Sequence, residues 1–295
     1  MAPVSLDTLN AADDAAFAAA LGEIFEHAPW VAQAVAGLRP FPTLAALHEA
    51  MTAAVRAAPI ERRIALINGH PDLAGKAARA GTLTADSRME QANAGLDRLS
   101  EKEFAAFHRL NDAYRAKFGT PFIVCVRRHS KSSILRQFEH RLSNSASEEA
   151  ETALAEIFRI AALRLDQHVA APDRLKVHGR LSTHVLDTHG GRPAAGIGLT
   201  LHEISDDNET RLIAEATTNR DGRTDQPLIA GRPIPIGRYE LRFSVADYFA
   251  AQAATTADPP FLGIVPVQFA VAEPEAHYHV PLLVTPWSYA TYRGS

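Results

Sequence analysis

The chain of 295 residues has a single cysteine, no excess of charge and no long apolar run. Because Cys125 stands alone, no internal disulfide can form, and zinc sites built on paired cysteines are excluded. A net charge of −4 provides no strong attraction for nucleic acid or anionic lipid. Residues 1–17 lack the basic start and apolar core of a signal peptide, and no run could span a membrane. We therefore expect a cytoplasmic protein that binds neither membranes nor nucleic acid.

The first half of the sequence has the spacing of helices, and the length of the chain suits two domains. Apolar residues recur there every three or four positions, as in the stripes that begin at Phe17, Leu44 and Leu154. The short run 121–126, Pro-Phe-Ile-Val-Cys-Val, is interpreted as a buried connection between helices. These patterns predict an all-α domain over residues 1–169.

The second half of the sequence has the alternation of strands. Apolar and polar residues alternate in the runs 197–201, 239–245, 265–271 and 278–284, with turn residues between them. Several short strands at this spacing indicate an all-β sandwich. The fold class is therefore multidomain, with a helical N-terminal domain, a linker at 170–177 and a β-sandwich at 178–295.

Two histidines lie off the hydrophobic faces of these predicted strands. His184 alternates with Thr183 and Val185, and His279 faces away from its apolar neighbours Tyr278 and Val280. Imidazole suits proton transfer at neutral pH, although a single strand histidine is more often structural. Neither histidine has a carboxylate or cysteine at ligand spacing, so we expect no metal.

Five motifs follow one another from Leu181 to Ser295. They are Leu181-Ser-Thr-His-Val-Leu-Asp187, Gly191-Arg-Pro-Ala-Ala-Gly196, Thr218-Asn-Arg-Asp-Gly-Arg223, Tyr278-His-Val-Pro-Leu-Leu283 and Tyr292-Arg-Gly-Ser295. In this order they resemble the motifs of the 5-hydroxyisourate hydrolases, which are enzymes with the transthyretin fold. The resemblance implies that catalysis depends on His184, Arg223, His279 and Ser295, with Tyr292 binding substrate. Which histidine is the base stays open.

The first half contains a second set of motifs, which are Asn68-Gly-His-Pro-Asp-Leu73, Ser87-Arg-Met-Glu-Gln91, Phe118-Gly-Thr-Pro-Phe-Ile123 and Arg164. They resemble the motifs of the 2-oxo-4-hydroxy-4-carboxy-5-ureidoimidazoline (OHCU) decarboxylases, although Thr120 departs from the aromatic residue that is frequent there. The resemblance implies that His70 is catalytic and that substrate is bound by Pro71, Ser87, Arg88, Glu90, Gln91, Phe122, Ile123 and Arg164. Arginine suits a carboxylate. The substrate ring can accept the electrons of the broken bond, so no cofactor is expected.

The segment Ser87-x-x-Glu90 also has the spacing of a helix capping box. On spacing alone, capping is the favoured interpretation of both side chains. A Glu90 fully used in capping would be a weaker ligand for substrate.

Together the two resemblances imply a bifunctional enzyme of urate breakdown that acts on small molecules. The hydrolase domain would convert 5-hydroxyisourate to OHCU, and the decarboxylase domain would convert OHCU to (S)-allantoin. They also imply a homo-oligomer, with dimeric decarboxylase domains and tetrameric hydrolase domains. Two alternatives stay open: a small-ligand carrier with a helical dimerisation module, and a fusion with only one active half.

Overall fold

The computed structural model describes residues 3–74 and 84–294. By backbone contacts the chain forms two compact units. The first unit consists of Met1–Arg127 and Ser133–Val177, and the second consists of Arg128–Ser132 and His178–Ser295.

The first unit is helical, as its sequence periodicity predicts. Its helices in the described residues are α1 (Leu6–Ala11), α2 (Asp14–Leu21), α3 (Trp30–Val35), α4 (Leu44–Ala57), α5 (Ile60–Asn68), α6 (Ala85–Asn93), α7 (Glu101–Phe118), α8 (Lys131–Arg141) and α9 (Ala146–His168). A short parallel pair, β1 (Val4–Ser5) with β2 (Val169–Ala170), joins the two ends of this unit. No described helix is both long and apolar enough to cross a membrane.

Local sequence determines where the two longest helices begin. Ser100 caps α7 and Ser145 caps α9, and each forms a full capping box with the glutamate three residues later, Glu103 and Glu148. Such caps satisfy backbone N–H groups that have no partner inside the helix. Helix α7 ends where Gly119 takes a left-handed conformation with φ of 72°.

The apolar stripes of the sequence form the core of the first unit. Leu44, Leu47, Met51 and Val55 of α4 are fully buried against the stripe of α9. Burying one such side chain stabilises the fold by about 1.5–3 kcal/mol. The predicted helical fold of this half is thereby confirmed.

Residues 121–126 form the predicted buried connection, without helix or strand before the short 3₁₀ turn that begins at Val126. Glu156 on α9 accepts a hydrogen bond from the Cys125 backbone N–H at 2.8 Å, and Arg141 donates to the Ile123 carbonyl at 2.7 Å. Side chains therefore satisfy backbone groups that no regular element pairs, as burial requires. These hydrogen bonds hold the irregular connection in one position.

The second unit is a β-sandwich, as predicted. The strands are β3 (Gly179–Ser182), β4 (Val185–Asp187), β5 (Arg192–Pro193), β6 (Gly198–Ile204), β7 (Thr210–Thr217), β8 (Ile229–Arg232), β9 (Gly237–Ser244), β10 (Ile264–Val271), β11 (His277–His279), β12 (Leu282–Val284) and β13 (Tyr289–Thr291). One sheet has the order β10-β9-β6-β7, and the facing strands form sheets of order β11-β3-β8 and β13-β12-β4-β5. Buried side chains from both layers form one core.

Two of the alternating runs are not continuous strands. The run 239–245 ends as a strand at Ser244, and Val245 begins the short helix α10 (Val245–Ala251). The run 278–284 breaks at Pro281, which has no N–H for a sheet bond. In both places the side chains stay buried, so alternation predicts the buried face better than the strand ends.

Two candidate active sites

A pocket of about 440 Å³, including its open mouth, lies in the first unit. Its wall is built from the end of α5, one face of α6, the connection 121–126 and α9. The lining contains all but one of the residues predicted for this site: His70, Pro71, Ser87, Glu90, Gln91, Phe122, Ile123 and Arg164. The exception is Arg88, which is exposed on α6 and is not part of the lining.

His70 follows the C-terminal end of α5 and is 7% exposed. Its Nδ1 lies 2.9 Å from the Leu66 carbonyl, which can only accept a hydrogen bond, so Nδ1 carries the proton. Burial lowers the pKa of His70 from 6.5 to about 4. At neutral pH the imidazole is therefore uncharged, and Nε2 offers a lone pair.

Glu90 and Gln91 lie one helical turn after Ser87 on the same face of α6, so all three side chains reach the pocket. The N-cap of this helix is Thr84, whose hydroxyl accepts the Ser87 backbone N–H at 3.3 Å. The capping-box interpretation of Ser87 and Glu90 was therefore wrong, because the helix begins three residues earlier than that spacing suggests. Both side chains are free of capping.

Arg164 on α9 is 3% exposed and lies between two carboxylates. It contacts Glu26 at 2.8 Å, and Glu90 through Nε at 3.2 Å and through Nη2 at 3.0 Å. Nη1 also donates to the Glu23 carbonyl at 3.4 Å, and Nη2 to the Ser87 hydroxyl at 3.3 Å. These five contacts equal the number of N–H donors in a guanidinium. In this structure the donors that we expected to bind a substrate carboxylate have protein acceptors.

The polar groups of the pocket have defined hydrogen-bonding roles. The hydroxyl proton of Ser87 points to the carboxylate of Glu26, at 2.9 and 3.0 Å, so Ser87 can only accept from a ligand. Gln91 accepts the Ala74 backbone N–H through Oε1 at 3.2 Å, which leaves its amide N–H groups as donors. A ligand is therefore offered an acceptor by Ser87 and donors by Gln91.

Sequence reasoning missed two residues here. Arg127 lines the pocket, and its side chain donates to the Gln167 amide oxygen at 3.3 Å. Glu26 is 2% exposed and lies behind the pocket wall. The one signal for it was an acidic residue directly after the buried pair Ile24 and Phe25.

The second candidate site lies where β3, β4 and the last strands meet. His184 sits in the break between β3 and β4 and forms an isolated bridge with Arg223. The turn before Arg223 contains Gly222, with φ of +71°. A Cβ at Gly222 would lie 2.3 Å from the Val185 carbonyl oxygen. Glycine is therefore required for this turn to approach His184 closely.

His279 on β11 lies beside Ser182 on β3. Its Nδ1 is 3.0 Å from the Ser182 hydroxyl, and the same hydroxyl is 2.9 Å from Nε2 of His277. A hydroxyl has one proton, so it can donate to one imidazole and must accept from the other. Ser182 and His277 were not predicted as site residues; the strand register brings them to His279.

Burial and the nearby Arg223 guanidinium lower the pKa values of both His184 and His279. A hydrogen bond to the Asp221 backbone opposes this for His184. Nε2 of His184 is buried and has no hydrogen-bond partner among the described residues.

The chain end runs past this site. Gly294 pairs with His279, and its backbone N–H donates to the His279 carbonyl at 2.9 Å. Tyr292 is 59% exposed, and Arg223 is also exposed. Ser295 lies outside the described residues. The structure thus brings His184, Arg223 and His279 to one edge of the sandwich.

Two family models match the chain in succession. The model described as OHCU decarboxylase matches residues 10–166, and the model of the HIUase/Transthyretin family matches residues 181–294. Together they cover both units.

Individual relatives match each half over nearly their full length. The 5-hydroxyisourate hydrolase of Deinococcus radiodurans is 54% identical over 118 residues, which are 40% of this chain and 98% of that protein. The 2-oxo-4-hydroxy-4-carboxy-5-ureidoimidazoline decarboxylase of Halalkalicoccus jeotgali is 40% identical over 167 residues, which are 57% of this chain and 93% of that protein. A crystal structure of an (S)-allantoin synthase is 34% identical, with a TM-score of 0.53, over 99% of this chain and 100% of that one.

Proposed function

Because the chain belongs to the OHCU decarboxylase family through its first half and to the HIUase/transthyretin family through its second, we propose that it carries out two consecutive steps of urate breakdown. Residues 178–295 hydrolyse 5-hydroxyisourate to OHCU, and residues 1–169 decarboxylate OHCU to (S)-allantoin, with 170–177 between them. The observation that carries this proposal is the presence, in one chain, of near-complete counterparts of both single-function enzymes. The product of one is the substrate of the other.

In the hydrolytic step, a water molecule attacks a carbonyl carbon of the ring, and the carbon–nitrogen bond opens. His184 takes the proton of that water, since its lowered pKa keeps the imidazole neutral. Arg223 holds the planar, electron-rich ring, and its charge favours the oxyanion that develops. The proton then passes through His184 and His279 to the departing nitrogen, and the chain end, with Tyr292 and Ser295, completes the site.

In the decarboxylation, the carbon–carbon bond breaks, carbon dioxide leaves, and the electron pair passes into the ring, where a ring nitrogen takes one proton from solvent. The substrate hydroxyl becomes a carbonyl, and the proton that it loses must reach one face of the ring carbon that bears the ureido group to give a single enantiomer. His70 is neutral, so its Nε2 can take up the hydroxyl proton and deliver it to that carbon. Ser87, Glu90 and Gln91 orient the ureido group, and residues 122–123 form the opposite wall.

The proposal is tested by the stereochemistry of the product. Urate and urate oxidase generate 5-hydroxyisourate, and the purified chain is then added while absorbance and circular dichroism are recorded. We expect both intermediates to disappear faster than without the protein, and the product to be (S)-allantoin. Racemic allantoin would contradict the assignment. Unchanged decay of the first intermediate would favour the carrier, and faster decay of only one would indicate one active half.

The same families support a homo-oligomer, and we propose dimeric decarboxylase and tetrameric hydrolase domains. The second unit exposes large apolar side chains, as subunit interfaces do: Leu212, Phe261, Ile264, Trp287, Tyr289 and Tyr292. Light scattering of the purified protein is expected to give a multiple of the 31.9 kDa chain mass. A monomer at micromolar concentration would contradict this.

We also propose a cytoplasmic location. The only cysteine of the sequence, Cys125, is buried, and a chain with one cysteine needs no oxidising compartment to form an internal disulfide. When cells that express the chain are fractionated, we expect the protein in the cytosolic fraction. Its recovery in another compartment would contradict the proposal.

A further inference from the structure

We infer that Glu26 is a positioning residue of the decarboxylase pocket, which holds Arg164 and Ser87 in place without touching substrate. The inference rests on the proposed decarboxylation. Glu26 lies between α2 and α3, is 2% exposed, and is not part of the pocket lining. Its effect on the reaction is therefore exerted through the two pocket residues that it contacts.

The carboxylate of Glu26 joins elements that are far apart in sequence. It contacts Arg164 of α9 at 2.8 Å and accepts hydrogen bonds from the Ser87 hydroxyl at 2.9 and 3.0 Å. It also accepts from the hydroxyl of Thr84, the N-cap of α6, at 2.7 Å. One buried side chain thus fixes the start of α6 against α9, and α6 carries Ser87, Glu90 and Gln91.

A carboxylate in this position is charged, although burial works against it. Burial acts to raise the pKa of Glu26, but the Arg164 guanidinium and the hydrogen bonds from Thr84 and Ser87 outweigh that effect and lower it. A charged carboxylate has only acceptors, so it takes the one proton of Ser87 and leaves the Ser87 oxygen as an acceptor toward the pocket. Substrate N–H groups can bind there.

Glu26 also changes what Arg164 can do. With Glu26 and Glu90 both on its guanidinium, the cluster has one more negative charge than positive charge. Arg164 then acts as an internal support for Glu90 rather than as a free cation for the substrate carboxylate. The net negative charge of the cluster repels an anionic substrate. Ser87 and Glu90 are therefore positioned at some cost in the affinity of the pocket for substrate.

The test is the steady-state decarboxylation of OHCU by the full chain with Glu26→Gln, which keeps the size and removes the charge. We expect kcat to fall by about ten- to hundred-fold, the effect of losing a buried charge-assisted network of about 1.5–3 kcal/mol. KM should stay the same or fall, because repulsion of the anion is relieved. The hydrolase activity of the same molecules, measured in parallel, should not change.

Asp166→Asn is the matched control. Asp166 is another buried carboxylate of this unit that pairs with an arginine, Arg174, and it is not part of the pocket lining. Its variant should lose stability but keep the wild-type kcat of decarboxylation. The inference is overturned if the Glu26→Gln variant keeps kcat within two-fold of wild type, shares its loss with the control, or raises KM as kcat falls.

If Glu26→Gln does not fold, Glu26→Asp keeps the charge and shortens the reach. It should fold and show a smaller fall in kcat, and wild-type kcat in this variant would overturn the inference. Failure of the proposed function is distinguishable, because then the wild-type chain would not decarboxylate OHCU at all.

Discussion

At the scale of single residues, His70 is set apart by a buried imidazole that is neutral well below physiological pH. Its Nδ1 proton is held by the Leu66 carbonyl, and burial lowers its pKa to about 4. A base with this pKa is ready to accept a proton throughout the neutral range. An anionic substrate in the pocket would favour the protonated form during the reaction.

The first prediction concerns the pH dependence of decarboxylation. A base works in its neutral form, so kcat/KM should be constant from pH 8 down to about 5 and fall as pH approaches the His70 pKa of about 4. Initial rates with freshly generated OHCU measure this profile. His70→Asn should reduce the rate by about 10²- to 10⁴-fold and remove this limb. A limb centred near pH 6.5 would show that His70 is not shifted.

The second prediction concerns the hydroxyl that lies between His277 and His279. Ser182→Ala removes the hydrogen bonds to His277 and His279, and loss of the one to His279, worth about 1 kcal/mol, should lower kcat/KM of the hydrolase by roughly five-fold. The control is Ser205→Ala. Ser205 is a loop serine of the same unit, and its hydroxyl accepts a hydrogen bond from the Glu209 backbone N–H. Decarboxylation should be unchanged in both variants. Equal hydrolase activity in the two variants would exclude a role for Ser182.

The sequence predicted the chemistry-bearing residues of the pocket better than their partners. The motifs at His70, Ser87 and Arg164 meet in one pocket. Glu26 and Thr84 could not be predicted, because their importance comes from contacts across 58 to 138 positions of sequence, as the contacts Glu26–Thr84 and Glu26–Arg164 show. Local patterns contain no information about such partners.

At the scale of elements, turns and connections position the functional groups more than the regular strands do. His184 occupies a break between strands, and the turn that ends at Arg223 approaches it because Gly222 has no side chain. The wall at residues 121–126 is likewise an irregular segment, held by Glu156 and Arg141. Rigid neighbours fix such segments, and binding residues are often found on loops that a rigid scaffold positions.

The third prediction separates strain from contact at the Gly222 turn. Gly222→Ala would place a Cβ 2.3 Å from the Val185 carbonyl oxygen and 3.2 Å from the His184 ring, so we expect hydrolase activity to fall at least ten-fold. Gly231→Ala is the matched control, since its φ of +69° is similar and nothing lies within 4 Å of the new atom.

Both variants place an alanine in left-handed backbone, at a cost of about 1–2 kcal/mol each, which thermal unfolding measures. Both variants should lose a similar amount of stability, but only Gly222→Ala should also lose hydrolase activity. Equal hydrolase rates in the two variants would show that the close approach of the turn has no part in catalysis.

The periodicity of the sequence predicted the elements well and their ends less well. The helical stripe of α4 and the alternation of β6 and β10 correspond to real elements with buried apolar faces. The predicted end of β9 at Val245 was wrong, because this buried side chain belongs to a helix, and burial alone does not distinguish a helix from a strand. The apolar pattern indicates which residues are buried. The direction that the chain takes after the last paired residue depends on contacts that the pattern does not encode.

At the scale of the whole molecule, two units carry two different sets of site residues on one chain. A tether raises the concentration of one site near the other without any new contact. Each unit has its own core, so a substitution in one pocket should leave the other reaction intact. This independence makes the bifunctional assignment testable within a single preparation.

The most direct measurement follows both intermediates by time-resolved ultraviolet spectra in wild type, His70→Ala and His184→Ala. We predict that His184→Ala slows the loss of 5-hydroxyisourate, that His70→Ala lets OHCU accumulate, and that an equal mixture of the two variants restores (S)-allantoin. If both variants process both intermediates at the wild-type rate, the two histidines do not serve consecutive reactions and the central claim is wrong.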